Sequence, residues 1–368
     1  MGSKPKKIVI LHLAHWDQLL GGAELQLKYL SQYIANMGHE VHFVYPNRTH
    51  KKIEDTHVRL HPLNYIKTIG SYGKMWFVYK RSINSKLSKI QPDIIITRTF
   101  SSWAGIASQY AKSHSLRHIH FIASNNDVNN REKKITWRKA FNKLELKYFN
   151  KIFNSNTEIV VQNEEQKRSV ENKQKLKSIL LSQAAPENDV ALIDKADDEL
   201  KVVWIANFKP LKRPEKFLEI VEHFKNRDDI TFSMIGGYSN TYYNDLLKPY
   251  HEVSNFQYLG KLTNEEVNKV LDTAHVLVNT SDYEGFSNTF IQAWLRQVVV
   301  LSLNSDPNNI LKNEKIGYQT NSIEKLKAIL EGFCRNDKST LIHTGNSARE
   351  YALSNHVIND KYFKKIKL

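Results

Sequence analysis

The stretch that decides the fold of this chain is HVLVNTSDYEGFSNTFIQAWLRQVVVL, residues 275–301. Its two ends, residues 275–279 and 298–301, are short apolar runs that predict buried strands. Between them a carboxylate, a glycine and small polar residues open a helix. A strand, a loop, a helix and a second strand are typical of an α/β fold built on parallel sheets.

The same alternation of strands and helices continues along the rest of the chain. A Gly21-Gly22 turn leads into a helix that Gly38 caps, and Thr263 with Glu266 predicts a capping box before a later helix. The first of these helices has one apolar face, formed by Ala23, Leu27, Leu30, Ile34 and Met37. Further strands are predicted at residues 8–13, 41–45, 93–97, 118–122, 158–161, 202–205, 232–235 and 256–259.

The length of the chain predicts two domains. Its 368 residues exceed what one hydrophobic core usually supports. The polar stretch at residues 163–200 interrupts the alternation and is interpreted as a connector. We therefore expect a first domain at residues 1–185, a second at 186–352, and a C-terminal helix at 353–368 that crosses back to the first domain.

Composition restricts the function without identifying it. A net charge of +15 favours an anionic partner, which could be nucleic acid, a phosphorylated substrate or a membrane surface, but a solvated basic surface explains it equally well. The single cysteine, Cys334, excludes an internal disulfide and a thiolate-rich metal site. Because the apolar runs are too short to span a bilayer and no signal peptide is visible, a cytoplasmic protein is expected.

Four loops that follow predicted strands hold the candidate binding residues, since ligands of open α/β sheets lie beyond the carboxyl ends of the strands. Gly21-Gly22 would let a helix N-terminus approach phosphate, although neither G-x-G-x-x-G nor a Walker lysine is present. Gly236-Gly237 is a second flexible loop. The other two loops are the cation-rich N-F-K-P-L-K-R at residues 207–213 and the S-D-Y-E-G-F-S-N-T run at 281–289.

Taken together, these loops resemble the group 1 (family four) glycosyltransferases, which have the two-domain GT-B architecture. The G-G-A-E run at residues 21–24 is similar to the first loop of that family. The register of the family's Gly-Arg-Leu-x-x-x-Lys reads A-N-F-K-P-L-K here, ending at Lys212. Its Glu-x7-Glu signature begins here with Glu284-Gly285-Phe286, and Gln292 stands at the position of the second Glu. The resemblance covers nearly the whole chain and implies two Rossmann-like domains facing across a cleft.

The resemblance implies a retaining, metal-independent hexosyltransferase. It would move a sugar from a nucleoside-diphosphate sugar, UDP- or GDP-linked, to a glycan or lipid-linked acceptor in bacterial polysaccharide or glycolipid biosynthesis, with no cofactor and no metal site. Glu284 and Lys212 would be catalytic, because the departing diphosphate builds negative charge that preorganised cations and N–H donors stabilise. The donor would be bound by Gly21, Gly22, Asn207, Lys212, Gly236, Glu284, Gly285, Phe286, Ser287, Asn288, Thr289 and Gln292.

The chain departs from the family pattern at three places. Asn207 stands where the family has Arg, and Gln292 stands where it has the second Glu, whose role is to bind the nucleotide ribose. The first-domain His of many members is missing from the A-S-N-N-D run at residues 123–127, so its role is not transferred to His118 or His120, which are expected inside a strand. Asn125 and Asp127 of that run are the acceptor-side candidates.

Two first-domain stretches combine cations with aromatic residues. One runs from Lys74 to Arg81 and the other from Arg131 to Lys151. In the second, Trp137, Phe141, Leu144 and Tyr148 follow a 4-3-4 spacing between lysines. That pattern is typical of a helix lying on an anionic membrane, and equally of an amphipathic helix packed on a sheet. We therefore expect peripheral contact with the inner face of the cell membrane as one alternative, and no nucleic-acid partner.

Two other classes of function remain open from the sequence. One is a different GT-B enzyme: an epimerase would convert a sugar nucleotide without an acceptor, and a phosphorylase would need a pyridoxal cofactor. The other is a non-catalytic protein that binds RNA or acidic polysaccharide, as the charge suggests. That class has no recognisable RNA motif and leaves the Glu284 loop unexplained.

Overall fold

The computed structural model describes residues 4–19, 21–49, 52–66, 75–128, 138–186, 195, 199–335 and 338–368. The chain divides into two compact units. One comprises Met1–Gln183 together with Asp360–Leu368, and the other comprises Ala184–Asn359. The sequence placed the two divisions after residues 185 and 352, whereas the C-terminal segment of the first unit begins at Asp360, seven residues after the predicted start at residue 353.

The first unit is built on a seven-stranded sheet of order β3-β2-β1-β4-β5-β6-β7, in which every neighbouring pair is parallel. Its central strands are apolar and almost wholly buried, because helices cover both faces of a parallel sheet. The strands are β1 Lys7–Leu11, β2 Glu40–Asn47, β3 Arg59–Asn64, β4 Ile94–Arg98, β5 Arg117–Phe121, β6 Thr157–Val161 and β7 Ser178–Leu180.

Six helices of this unit alternate with its strands: α1 Gly22–Asn36, α2 Lys80–Ile90, α3 Ser102–Ser113, α4 Asn125–Val128, α5 Arg138–Phe149 and α6 Glu164–Gln174. The predicted apolar face of α1 is buried at Leu27, Leu30 and Ile34, whereas Met37 lies at the C-cap and is exposed. Gly38 follows with φ +86°, as expected for the residue that ends a helix in the left-handed region.

The second unit is built on a six-stranded parallel sheet of order β10-β9-β8-β11-β12-β13. Its strands are β8 Leu200–Ile205, β9 Ile230–Ile235, β10 Phe256–Gly260, β11 Val276–Asn279, β12 Val299–Ser302 and β13 Gly317–Gln319. The helices are α7 Pro214–Phe224, α8 Tyr242–Leu247, α9 Asn264–Thr273, α10 Asn288–Leu295, α11 Ile310–Glu314, α12 Ile323–Arg335 and α13 Lys338–Asn355. The capping box of Thr263 and Glu266 at the start of α9 is confirmed. Both sheets confirm the predicted α/β class with parallel strands.

The interpretation of residues 163–200 as a connector was wrong for its first part. That part contains α6, whose N-cap Asn163 accepts a hydrogen bond from the Gln166 amide at 2.8 Å, and the edge strand β7. The helix is polar because only Gln166 and Val170 are buried on it, so it carries no apolar periodicity to read.

The C-terminal segment forms the short helix α14, Asp360–Lys364, and belongs to the first unit. The ring of Phe363 is buried and stacks on Tyr33 of α1 with 4.8 Å between ring centroids. Tyr33 also donates a hydrogen bond to Asp360 at 3.0 Å, and Arg117 donates to the Lys367 carbonyl at 2.8 Å. The return of the C-terminus is therefore held by an aromatic contact and by hydrogen bonds.

The structure describes only part of the two stretches, 74–81 and 131–151, for which membrane contact is an expected alternative. Lys74 and residues 131–137, including Trp137, lie outside the described residues. The buried face of α5 is formed by Glu145 and Phe149, one residue beyond the predicted stripe, while Leu144 is exposed. None of the described helices is both long enough and apolar enough to cross a membrane.

We predict that Phe363→Ala destabilises the first unit by about 3–5 kcal/mol, because it removes a buried aromatic side chain and leaves a cavity against Tyr33. Thermal melting would show this as a lowered transition. Lys364→Ala, at the exposed neighbouring position, is the control and should melt like the wild type. Equal melting of the two variants would mean that the C-terminal segment does not pack as described.

Candidate active site

The order of the second sheet singles out one place on its carboxyl edge. From β8 the chain proceeds outward through β9 and β10, and it then returns to the other side of β8 with β11. Such a reversal leaves a crevice beyond the carboxyl ends of the two central strands, here β8 and β11. The two loops that follow these strands contain Lys212 and Glu284, so the topology brings the two predicted catalytic residues to the same crevice.

Lys212 and Glu284 are in direct contact. The ammonium group of Lys212 donates to Oε1 of Glu284 in an ion pair that is mostly withdrawn from solvent. Oε1 also accepts hydrogen bonds from Ser281 Oγ at 2.7 Å and from Asn279 Nδ2 at 3.4 Å. All three contacts engage Oε1, and Oε2 is the second oxygen through which the carboxylate can bind a ligand hydroxyl.

Two buried side chains, Trp204 and Thr280, hold the backbone of Lys212 through a chain of hydrogen bonds. The Trp204 indole N–H donates to Thr280 Oγ1 at 2.8 Å, and Thr280 Oγ1 donates to the Lys212 carbonyl at 2.8 Å. The Asp282 amide donates to the Leu211 carbonyl at 3.0 Å, so the two loops are also joined through their backbones. These contacts position both loops before any ligand binds.

Helix α10 begins at Asn288, shortly after Glu284-Gly285. Its N-cap, Ser287, makes no side-chain cap hydrogen bond; its hydroxyl pairs with Thr289 Oγ1 at 2.7 Å instead. The backbone amides of the first turn can therefore bind an anion. The Phe286 side chain is buried between Trp294 and His356, so this residue would contact a ligand only through its backbone.

Gln292 is oriented by two asparagines of α9. Its Nε2 donates to Asn264 Oδ1 and to Asn268 Oδ1, both at 2.8 Å. Because both amide hydrogens are engaged, the carbonyl oxygen is the atom that can accept a hydrogen bond from a ligand. The substitution of the family's second Glu thus retains an acceptor at this position.

Asn207 and Gly236 lie at the ends of neighbouring strands and have different surroundings. Asn207 is exposed in the loop after β8. Gly236 is buried, its amide donates to the Gly260 carbonyl at 2.8 Å, and its carbonyl accepts from the Tyr258 hydroxyl at 2.7 Å. A Cβ at Gly236 would lie 1.7 Å from the Ala206 carbonyl oxygen, so close backbone packing accounts for this glycine.

The other predicted site residues belong to the first unit. Gly21 is the N-cap of α1, and a Cβ there would lie 2.3 Å from Glu24 Oε2; Gly22 is exposed beside it. Glu24 is buried and pairs through Oε1 with His12 Nε2 at 2.9 Å. Burial would raise the pKa of the Glu24 carboxyl, but the hydrogen bond and charge of His12 bring that pKa below its ordinary value. A side chain at position 21 would therefore overlap the Glu24 carboxylate, which accounts for the glycine there.

The acceptor-side candidates lie in the turn after β5. Asp127 accepts hydrogen bonds from the amides of Ala123 at 2.9 Å and Ser124 at 3.1 Å, and from the Ser124 hydroxyl. Burial raises the pKa of the Asp127 carboxyl, while these hydrogen bonds oppose that shift. Asn125 is buried and accepts from Gln166 Nε2 at 3.0 Å through its Oδ1.

His118 and His120 lie inside β5, as the sequence predicts. Both are completely buried, and both hydrogen-bond with Thr97 Oγ1 at 2.8 Å. Burial lowers the pKa of His118 to about 3 and the pKa of His120 well below its ordinary value. Two neutral histidines inside the sheet are core residues and do not replace the missing first-domain His.

Sequence reasoning missed Arg98, His12, Thr280 and Trp204. The signal for Arg98 was a cation that ends an apolar strand, and the signal for His12 was a polar residue directly after one. Thr280 and Trp204 carried no signal, because their role depends on which side chains meet across the sheet. Within the described ranges, no three His, Cys, Asp or Glu side chains come together in a way that could hold a metal ion.

Solved structures with the same fold are GT-B glycosyltransferases. Sucrose-phosphate synthase from Thermosynechococcus elongatus is 14% identical with a TM-score of 0.76, covering 98% of each chain. WaaG, a glycosyltransferase involved in lipopolysaccharide biosynthesis, is 13% identical with a TM-score of 0.74 and the same coverage. HepE from Anabaena, solved in complex with UDP and glucose, is 10% identical with a TM-score of 0.73, again covering 98% of each chain. No curated protein sequence matches significantly.

Two family models match the chain, one in each unit. Residues 20–179 match Glycosyltransferase Family 4, and residues 199–335 match Glycosyl transferases group 1. The chain belongs to the group 1 (family four) glycosyltransferases and is a glycosyltransferase of the GT-B type. The resemblance stated from the loop motifs is confirmed.

We predict that Gly236→Ala displaces the loop after β8, because the added Cβ would overlap the Ala206 carbonyl oxygen. Thermal stability and nucleotide affinity should both fall in this variant. Gly237→Ala is the matched control, since a Cβ there meets its nearest atom, Lys261 Cβ, at 3.4 Å. If the two variants behave alike, close packing does not explain Gly236.

Proposed function

We propose that this glycosyltransferase transfers a hexosyl group from a nucleoside-diphosphate sugar to a glycan or lipid-linked acceptor, with retention of anomeric configuration and without a metal or other cofactor. The contact between Lys212 and Glu284 at the reversal point of the second sheet carries the proposal. A cation and a hydrogen-bonded carboxylate at one crevice match the two halves of the donor, a diphosphate and a sugar.

Lys212 is proposed to neutralise the departing diphosphate. Charge builds on the phosphate oxygens as the bond to the sugar breaks, and a preorganised cation stabilises it most when it needs no rearrangement. The side-chain relay from Trp204 through Thr280 to the Lys212 carbonyl supplies that preorganisation. The amides at the start of α10 add further donors to the same anion.

Glu284 is proposed to hold the donor sugar. Ser281 and Asn279 donate to Oε1 and so orient the whole carboxylate. Oε2 can then accept a hydrogen bond from a sugar hydroxyl. Gln292, with its amide nitrogen bound to two asparagines, would accept from a ribose hydroxyl through its carbonyl oxygen. Because Asn207 stands where the family has Arg, one cation of the family's phosphate site is missing. The exposed Lys209 in the same loop is proposed to replace it.

The donor is expected to be UDP- or GDP-linked, and the acceptor to belong to bacterial polysaccharide or glycolipid assembly. The complex of HepE with UDP and glucose and the role of WaaG in lipopolysaccharide biosynthesis support this expectation.

We predict that one nucleoside diphosphate raises the melting temperature selectively in a screen of UDP, GDP, ADP and their sugar conjugates with EDTA present. A ligand at 100 times its dissociation constant should stabilise the protein by about 2.7 kcal/mol. Lys212→Ala should lower transfer by on the order of 10²-fold, by analogy with the loss of one oxyanion donor. Glu284→Gln should impair transfer of the sugar while leaving nucleotide affinity closer to the wild-type value.

Lys248→Ala is the control for Lys212→Ala, because it removes an exposed lysine of the second unit that lies outside the candidate site. NMR of the products reports the anomeric configuration, and incubation without acceptor reports whether the donor is epimerised instead. Wild-type turnover in both Lys212→Ala and Glu284→Gln would refute the proposed site, and loss of activity on adding EDTA would refute metal independence.

Peripheral membrane contact is a second part of the proposal, supported by one surface of the first unit. Val78 and Leu144 are exposed there, 40% and 37% respectively. Phe77 stacks on Tyr148, and Lys80 and Lys151 lie over the same Tyr148 ring. Apolar side chains beside lysines are suited to the interface of an anionic membrane. The inner face of the cell membrane is the proposed location.

We predict that the protein co-sediments with anionic liposomes at low salt and is released at high salt, since exposed charges are screened. Leu144→Asp should weaken the binding. Leu353→Asp, at a similarly exposed leucine of the second unit, is the control and should bind like the wild type. Absence of co-sedimentation at low salt would remove the membrane from the proposal.

A further inference from the structure

The first sheet has a reversal point of its own, and Arg98 lies there. From β1 the chain proceeds outward through β2 and β3, and β4 then pairs with the other side of β1. Leu11 is the register partner of Thr97, so Arg98 at the end of β4 lies beside His12 at the end of β1. The place corresponds to the crevice where ligands of open α/β sheets bind.

Arg98 is a buried cation with hydrogen-bonding capacity to spare. Only 5% of the residue is exposed, and its Nε and Nη2 have no hydrogen-bond partner among the described residues. Burying a guanidinium without partners is energetically unfavourable, which makes such an arrangement uncommon outside functional sites. Its fork of two N–H donors matches the paired oxygens of a carboxylate or a phosphate.

Asn125 contributes a third donor. Its Oδ1 accepts from Gln166, which orients the amide, while its Nδ2 is buried and has no partner among the described residues. It lies in the turn after β5, the strand whose Phe121 is the register partner of Arg98. Asp127 of the same turn acts electrostatically on Arg98. Two donor atoms of Arg98 at the end of β4 and one of Asn125 just beyond the end of β5 are thus unpaired, and a ligand that presents acceptor oxygens would satisfy them.

The charges around Arg98 restrict the ligand further. Tyr362, Asp127 and Glu24 all act electrostatically on the guanidinium. The Tyr362 hydroxyl donates to the Ser182 carbonyl, Asp127 accepts from Ala123 and Ser124, and Glu24 Oε1 is paired with His12. Two carboxylates already offset the charge of one arginine at longer range. A singly charged oxyanion, whose oxygens the fork can bind directly, therefore fits better than a doubly charged one.

We propose that Arg98 and Asn125 form an anion-binding subsite in the first unit, and that the acceptor of this glycosyltransferase carries a singly charged oxyanion. The group is either the carboxylate of an acidic sugar or a phosphodiester. The assignment to the acceptor rests on the proposed function, whereas the subsite itself does not.

The test measures the affinity of three probes by NMR titration in the presence of saturating nucleoside diphosphate. Methyl glucuronide and methyl glucoside differ in the carboxylate, and dimethyl phosphate represents the phosphodiester. The wild type should bind one anionic probe at least about tenfold more tightly than the glucoside, as expected for hydrogen bonds to a charged group. The probe that binds identifies the source of the oxyanion.

Asn125→Asp is the decisive variant, because its remaining oxygen can still accept from Gln166 while the donor becomes a negative charge. It should lose the preference for the anionic probe, as should Arg98→Gln if that variant folds. Asn142→Asp, which adds the same charge at an exposed position on α5, should retain it.

Equal binding of the anionic and neutral probes, or a preference that survives in Asn125→Asp, would overturn the subsite. Displacement of the nucleotide by the anionic probe would overturn its assignment to the acceptor, because the oxyanion would then be the donor diphosphate. Repeating the titration without nucleotide tests the subsite even if no nucleoside diphosphate binds. A failure of the subsite can therefore be distinguished from a failure of the proposed function.

Discussion

The parallel pairing of β8 with β11 is the constraint on which the candidate active site depends. Val202 pairs with Val276 and Val203 with Leu277, so two strands far apart in sequence end side by side. Because the other strands spread outward from this pair, no strand in the described part of the chain covers the two loops that follow it. The ion pair of Lys212 with Glu284 is a consequence of this register, since a slip of one residue would turn each side chain to the opposite face.

The first sheet obeys the same rule with different chemistry. Its central pair, β1 and β4, ends at His12 and Arg98, and the turn of α1 brings Glu24 to His12. The second sheet pairs its partly buried Lys212 directly with a carboxylate, whereas the first leaves two donor atoms of Arg98 unpaired. One architecture thus positions two polar clusters, each within its own unit and each at a reversal of strand order.

The residues that depart from the family pattern are accommodated by their neighbours. Gln292 could have been an impairment, yet Asn264 and Asn268 bind its amide nitrogen and leave an oxygen as acceptor. His118 and His120 could have been read as catalytic, yet burial lowers the pKa of both and Thr97 hydrogen-bonds to both. In each case the local sequence names the residue, and the packing around it decides what that residue can do.

The strands that sequence reasoning did not find lie at the edges of the sheets: β3, β7 and β13. An edge strand is covered on fewer sides, so it lacks the apolar run that marks a central strand; β3 is mostly unburied and contains Pro62. The helix α6 was missed for a related reason, since it buries only Gln166 and Val170. Hydrophobic periodicity in a sequence marks the residues that an element buries, and these elements bury few residues.

The sequence by itself determined the alternation of strands and helices, the loops that contain Lys212 and Glu284, and the family. These features are local, because they depend on short apolar runs and on residues a few positions apart. Only the tertiary structure decided that Thr280 supports Lys212, that Arg98 lies beside His12, and that the buried face of α5 includes Glu145. Those facts depend on which strands and helices become neighbours, and strand order and packing are set by the burial of the whole chain.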